Sequence, residues 1–336
     1  MSLFAFAPSR GPRWQLALQA ALGISVPIAV MTIAGQPALG YLAASGAFTV
    51  LHFGALPVVE RARVLPIIAI ALIAAAAVGV VFSAALWLAS AGLVLVAVVS
   101  AALAFGFRLG PPGPLFFVLT FGLAAHVVGS GAIGGWVYLA AFAAGCLFSY
   151  LLSLMPLVLP RVRGRSARPL REILPGPELT ADGRMLLLRV ALVALLGVLL
   201  GLVIDPTRTY WVVGSGIAVI GIAAARRAAF ERGLHRMLGT VLGAGVYALL
   251  VLLHPSGLLL ALLLGVLQFT VEIIVVRHYA LALVFITPMV LLLAGAATGT
   301  IGSLDIAFER VVDTLVGAAL GAASGILHPR IAPEQD

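Results

Sequence analysis

The stretch WQLALQAALGISVPIAVMTI, Trp14 to Ile33, decides what kind of protein this is. It carries no charged side chain, and a helix needs about 20 predominantly apolar residues to cross the hydrocarbon of a bilayer. Arg10 and Arg13 stand before it, the superficial look of a secretion signal. The run is long enough to span, however, and more such runs follow, so it reads as a first transmembrane helix rather than a cleaved peptide.

Working outward from Trp14, spans are expected at 14–33, 38–56, 64–83, 86–106, 114–130 and 134–159. A second set is expected at 185–204, 210–225, 237–253, 257–275, 279–298 and 307–327. The pair between 64 and 106 is the hardest to divide, because only Trp87 and Ser90 interrupt a long apolar run. The four tryptophans, Trp14, Trp87, Trp136 and Trp211, all fall near expected span ends, where an amphipathic indole prefers to sit. Composition agrees: 62% of the chain is hydrophobic and 10% charged, with a mean hydropathy of +1.19. Ordinary soluble domains are about 45–50% apolar and about 25% charged.

Every one of the 20 basic residues is arginine, and their placement draws a topology. Eighteen fall on one side of the alternating segments, and only Arg208 and Arg310 fall on the other. Arginine excess in short loops marks the cytoplasmic face. The expectation is therefore an all-α polytopic membrane protein with both termini cytoplasmic. The same bias accounts for the isoelectric point near 10.7 without nucleic acid as a partner.

The chain divides into a first six-helix half at 1–159, a basic linker at 160–184 and a second six-helix half at 185–336. The linker carries Arg161, Arg163, Arg165, Arg168 and Arg171 among three prolines, the composition of a solvated connection able to lie on anionic lipid headgroups. The halves read as parallel repeats. Tyr41-Leu-Ala-Ala-Ser45-Gly46 resembles Tyr210-Trp-Val-Val-Gly-Ser215-Gly216 with one residue of slip. Glu60-Arg61 and Glu231-Arg232 occupy the next loops, and Phe117-Val-Leu-Thr120 echoes Val284-Phe-Ile-Thr287. Six spans per half give both halves one orientation, related by an axis along the membrane normal.

Two motifs share the pattern Arg-x-x-x-Thr-x-x-Gly-Ala: Arg236, Thr240, Gly243 and Ala244, then Arg310, Thr314, Gly317 and Ala318. Positions i, i+4 and i+7 share one helical face, so each motif is a stripe on which glycine admits a neighbouring helix and threonine bonds across. For Arg236, a packing face begun by a boundary residue accounts for the pattern. Arg310 differs, because it lies on the arginine-poor side with Glu309 and Asp313 beside it. Ionisable groups at a span centre cost about 2.5–3.5 kcal/mol on insertion scales, so those retained pair or face a pathway. Asp313 is the candidate proton-coupling carboxylate and Arg310 its counter-charge or an anion-binding group; a structural ion pair is the alternative. Both are expected at the interface of the halves, facing a cavity. The matching stretch Trp136–Cys146 of the first half is uncharged.

Other polar groups inside spans are Glu272, expected to pair with Arg277 or Arg232, and His126, expected as a hydrogen-bonded histidine between helices. Thr287 precedes Pro288 in mid-span, where a proline kinks a helix. Cys146, the single cysteine, excludes an intrachain disulfide. No phosphate-binding loop, His-Glu-x-x-His pair or Gly-x-Ser-x-Gly elbow occurs, so neither an enzyme nor a cofactor or metal site is expected.

The residues Tyr210-Trp211-Val-Val, Glu231-Arg232, Arg236-x-x-x-Thr240-x-x-Gly243, Thr287 and Arg310-x-x-Asp313-Thr314-x-x-Gly317 resemble the FUSC family of fusaric-acid-resistance and aromatic-acid-exporter type. The resemblance is most specific over 205–327. It implies efflux of aromatic carboxylic acids or similar small organic anions, driven by the proton gradient. A passive anion channel and a non-transporting membrane scaffold or accessory subunit stay open beside it. Many family members carry a sizeable cytoplasmic domain between the halves, where this chain has only the linker. A membrane lipid environment is implied, and a second copy or a periplasmic adaptor remain open as protein partners.

Overall fold

In a computed structural model, residues 11, 13–221 and 225–328 are described, and every regular element among them is helical. The first six expected segments are helices α1 (Trp14–Ile33), α2 (Pro37–Ala44), α3 (Val58–Phe82), α4 (Leu86–Gly106), α5 (Leu115–Gly129) and α6 (Gly135–Leu154). Two short helices follow, α7 (Pro160–Arg163) and α8 (Leu170–Ile173). The last six are α9 (Ala181–Ile204), α10 (Thr209–Ile220), α11 (Arg226–Val251), α12 (Gly257–Ile274), α13 (Tyr279–Thr298) and α14 (Leu304–Ala323). The long run between 64 and 106 breaks at Ser83–Ala85, as its division requires.

Nine helices among the described residues are long and apolar enough to cross a membrane. Three of the twelve expected segments fall short. α2 gives way to a 3-10 turn at Ser45–Thr49, α5 is 15 residues long between Pro114 and Gly129, and α10 has 12 residues before Gly221. At 1.5 Å per residue α10 reaches about 18 Å, well under the roughly 30 Å of hydrocarbon. Gly221 ends it with φ at +56°, a conformation that favours glycine. Trp211 alone of its twelve residues is not buried, so α10 meets protein rather than lipid, the setting in which broken backbone is tolerated at membrane depth. Lipid contact falls to the long helices. On α9, Leu188, Leu192, Leu195, Leu196, Leu199 and Leu200 form an outward apolar stripe.

The helices use corresponding neighbours in the two sets of six. α3 packs on α5 and α6 as α11 packs on α13 and α14, and α2 with its 3-10 turn packs on α6 as α10 packs on α14. The two sets are joined reciprocally: α1 lies against α12 and α4 against α9, with α5 touching α10 and α2 touching α13. Glycines set the closest approaches. A methyl group at Gly145 of α6 would overlap the carbonyl oxygen of Ala43, and one at Gly317 of α14 would overlap that of Val212. Gly317→Val is therefore expected to push α14 off α10. Overpacking of this kind costs about 1–3 kcal/mol, read as a lowered midpoint in thermal unfolding of the detergent-purified protein. An unchanged midpoint would show the contact to be slack.

The linker, largely exposed, is also tied to the helices beside it. Glu60, buried at the start of α3, accepts two side-chain hydrogen bonds from Arg168, Nε to Oε1 at 2.8 Å and Nη2 to Oε2 at 2.7 Å. Arg63 donates to the carbonyls of Ala167 and Arg168, and the Glu178 amide donates to the Gly106 carbonyl at the end of α4. The docking has a physical cause: Glu60 would otherwise be a buried carboxylate without a partner, and burying a charge is costly unless it is paired and hydrogen-bonded. Glu60→Gln is accordingly expected to loosen the linker and speed trypsin cleavage at its exposed arginines several-fold. Cleavage at the wild-type rate would mean that the bridge does not hold the segment down.

Candidate functional site

α14 begins at Ser303, whose hydroxyl accepts from the Ile306 amide. From there one face of the helix is buried, through Arg310, Asp313, Thr314, Gly317, Ala318 and Gly321. Gly317 and Gly321 let this face lie directly on α10, the latter against the Gly216 carbonyl. Because the small residues fix the rotation of the helix, Arg310 and Asp313 are carried inward with them. Asp313 is fully buried and Arg310 is 8% exposed.

The Arg310 guanidinium lies over Trp211, its central carbon 3.1 Å from the ring centroid. Desolvated cation–π contacts of this kind are worth about 2 kcal/mol or more. Its Nε and Nη1 have no hydrogen-bond partner, nor has either carboxylate oxygen of Asp313. The structural ion pair left open as the alternative is not formed: no nitrogen of Arg310 is within 4.0 Å of an Asp313 oxygen among the described contacts. The cation instead lies against the indole, and the carboxylate is buried about a turn further along α14.

Glu309 turns the other way. It is half exposed and meets Arg208 at 3.0 Å, while Arg208 also approaches Asp205 at 3.6 Å. These three charges form a rim at the arginine-poor end. Exposed pairs contribute about 0–1 kcal/mol, so the rim is electrostatic surroundings rather than a strong clasp.

Arg236 is not the boundary residue that its position before an expected span at 237 suggested. α11 starts eleven residues earlier, at Arg226, and places Arg236 in its third turn, directed at neighbouring helices. Its Nη1 donates to the Tyr279 hydroxyl at 3.0 Å and its Nη2 to the Ser215 hydroxyl at 3.3 Å, leaving Nε without a partner. Thr240 is buried a turn onward, and Gly243 abuts Thr287 of α13. Glu60-Arg61 and Glu231-Arg232, expected in loops, likewise lie inside α3 and α11.

The remaining candidates lie apart. His126 makes the hydrogen bond expected of it, Nδ1 to the Thr207 carbonyl at 3.0 Å. It lines a cavity of about 260 Å³ between α4, α5 and the start of α10, together with Phe121, Thr207, Thr209 and Tyr210. Neither Arg310 nor Asp313 lines this cavity. α14 packs chiefly on α9, α10 and α11, so the pair sits within the second half rather than between the halves as expected. Glu272 pairs with neither Arg277 nor Arg232. It binds Arg13 at 3.1 Å and Gln268 at 3.2 Å, tying α12 to the start of α1.

Sequence reasoning gave no site role to Trp211, Ser215 or Tyr279. Trp211 had been counted with the headgroup tryptophans, yet Trp14, Trp87 and Trp136 are exposed and Trp211 is not among the exposed residues. Its neighbour Tyr210, buried against Gly122 of α5, was the available signal: an aromatic pair opposite a lone arginine.

With this geometry in view, comparison with known proteins gives three findings. Residues 190–324 match the family described as fusaric acid resistance protein-like. A relative, the uncharacterized membrane protein YvaC of Bacillus subtilis (strain 168), is 29% identical over 120 residues, covering 36% of this chain. The matched part spans only 19% of that protein's length. No solved structure matches. The segment that holds Trp211, Arg236, Arg310 and Asp313 is thus the matched segment, and over residues 190–324 this membrane protein is similar to the fusaric acid resistance protein-like family.

Proposed function

We propose that the protein is a secondary transporter that exports small organic anions of the aromatic carboxylic acid kind, exchanging them for protons. One observation carries the reading: a buried guanidinium and a buried carboxylate, a turn apart on α14, each with polar atoms that no protein group satisfies. Buried charges without partners are costly, and in membrane helices such groups mark ion and substrate routes. An organic anion supplies what Arg310 lacks, and a proton supplies what Asp313 lacks. Their alternation couples the two flows.

The setting proposed with it is the inner membrane, with twelve segments in two parallel repeats and the termini in the cytoplasm. The matching neighbours of the two helix sets support the repeats, and the eighteen-to-two arginine division supports the orientation. The test is flux in proteoliposomes, with benzoate as the probe. Uphill benzoate movement driven by an imposed proton gradient is the expected result. Uncoupled benzoate current would replace the transporter with a channel, and absence of flux would leave a scaffold.

A further inference from the structure

The two halves fill the same space with different chemistry. Gly145 against Ala43 and Gly317 against Val212 are matching contacts, and they set the register between α6 and α14. Counting back from them, Arg310 corresponds to Tyr138, Asp313 to Ala141 and Thr314 to Phe142. The shared Glu60 and Glu231 set α3 against α11, so that Arg236 corresponds to Leu65 and Thr240 to Ala69. In the first half Tyr138, Ala141, Phe142 and Ala69 belong to an apolar core with Leu42, Ile68, Leu72 and Phe117, and Leu65 is buried as well. The apolar clusters of the second half take in Val213 and Ile217 of α10, Tyr247 of α11, Leu291 and Leu292 of α13 and Ala307 of α14, and beside them lies the space around Arg310, Asp313 and Arg236.

What occupies that space is a sequence of polar stations. From the arginine-poor end, the rim of Asp205, Arg208 and Glu309 gives way to Arg310 on Trp211, then to Asp313 one turn deeper. One turn beyond, Gly317 touches Ser215, and the Ser215 hydroxyl accepts from Arg236. Arg236 in turn reaches Tyr279, over whose ring Arg232 lies at 5.3 Å from the centroid, toward the arginine-rich end. Arg310, Asp313 and Arg236 each keep polar atoms without a hydrogen-bond partner. Each lost hydrogen bond in the interior is costly. The first half also leaves atoms of Thr49, His52, Arg61, Thr120 and Ser149 without partners, but its corresponding positions Tyr138, Ala141, Phe142, Leu65 and Ala69 carry no charge.

From this juxtaposition we infer that the route for the anion runs inside the second half, between α10, α11, α13 and α14, with guanidinium stations at Arg310 and Arg236 and Asp313 between them, and that the first half carries no route. The passenger is a small monoanion, since each station offers one cation and the carboxylate between them repels a second negative charge. Naming an anion rests on the transport reading above, while the route itself is testable without transport.

The experiment is cysteine accessibility in a Cys146→Ala background. Single cysteines at Ser215 and Thr314 are compared with single cysteines at Ala141 and Phe142, in sealed and in permeabilised membrane vesicles. The reagent is 2-sulfonatoethyl methanethiosulfonate, and modification is read from the mass of the purified protein. Thiol modification follows access and thiolate character, so the second-half pair is expected to react at least about tenfold faster, and benzoate should slow it. Equal rates in the two halves, including no reaction in either, overturn the inference, as does faster reaction in the first half. A variant not recovered folded is replaced by Thr240→Cys or Ala69→Cys. Reaction confined to the second half in a protein that moves no benzoate would remove the transporter reading and leave the water-filled route standing.

Discussion

Asp313→Asn leaves the protein folded in the membrane and abolishes proton-driven accumulation of benzoate in proteoliposomes, while downhill benzoate movement persists. The amide has the size of the carboxyl group but cannot exchange a proton, so packing on α10 is kept and coupling is lost. Both carboxylate oxygens already lack partners, which means that the substitution breaks no hydrogen bond of the resting protein. The charged groups around Asp313 are Arg310 on its own helix, Arg208 and Asp205 before α10, Glu309 at the rim and Arg236 across on α11. None replaces it at the same depth, because the two acids lie in the rim and the rest are cations. A pyranine-loaded vesicle reads the proton side of the exchange directly. Full gradient-driven accumulation by the Asn variant would sink the coupling role and reduce the carboxylate to a structural group.

Arg310→Gln is expected to remove high-affinity benzoate transport. Truncating one partner of a buried charge pair costs about 2–5 kcal/mol, and every 1.4 kcal/mol is a factor of ten. The half-saturating benzoate concentration should therefore rise by about thirtyfold or more. Trp211→Leu tests the same contact from the other side. The guanidinium keeps its charge but loses the ring beneath it, so a rise of about thirtyfold, at the lower end of that for Arg310→Gln, is expected for a lost buried cation–π contact of about 2 kcal/mol. Trp211→Phe should recover most of the affinity, since a ring face is restored. An Arg310→Gln protein with wild-type half-saturation would show that the anion binds elsewhere.

Much of this fold is legible in the chain because the bilayer leaves few choices. Apolar length marks the nine long helices, and arginine placement suggests which ends belong together. Three segments misled in length, since hydropathy responds to an apolar sequence whether it meets lipid or protein. α10 is as apolar as a spanning helix yet is enclosed and stops at Gly221. The start of α11 was missed for the opposite reason: Arg226 to His235 is polar enough to look like a loop, but it continues the helix beyond the apolar stretch.

At the site, Arg310, Asp313 and Arg236 stood out because charge is rare in such a sequence. Their partners did not. Nothing in spacing along one helix places Trp211 beneath Arg310, or Ser215 and Tyr279 around Arg236, because those contacts depend on how glycines let α14 and α11 approach their neighbours. Glu272 illustrates the same limit, since its cation comes from Arg13, at the far end of the chain.

That tie between α12 and α1 bears on how the protein is made. α1 leaves the ribosome long before the helix it packs against most extensively, which does not begin until Gly257. At 5–20 residues per second, α1 waits on the order of tens of seconds before its seam can close. α4 finds α9 sooner, across the docked linker. The α1 seam therefore closes late in synthesis, and the two sets of helices are interlocked products of one chain rather than modules that mature separately.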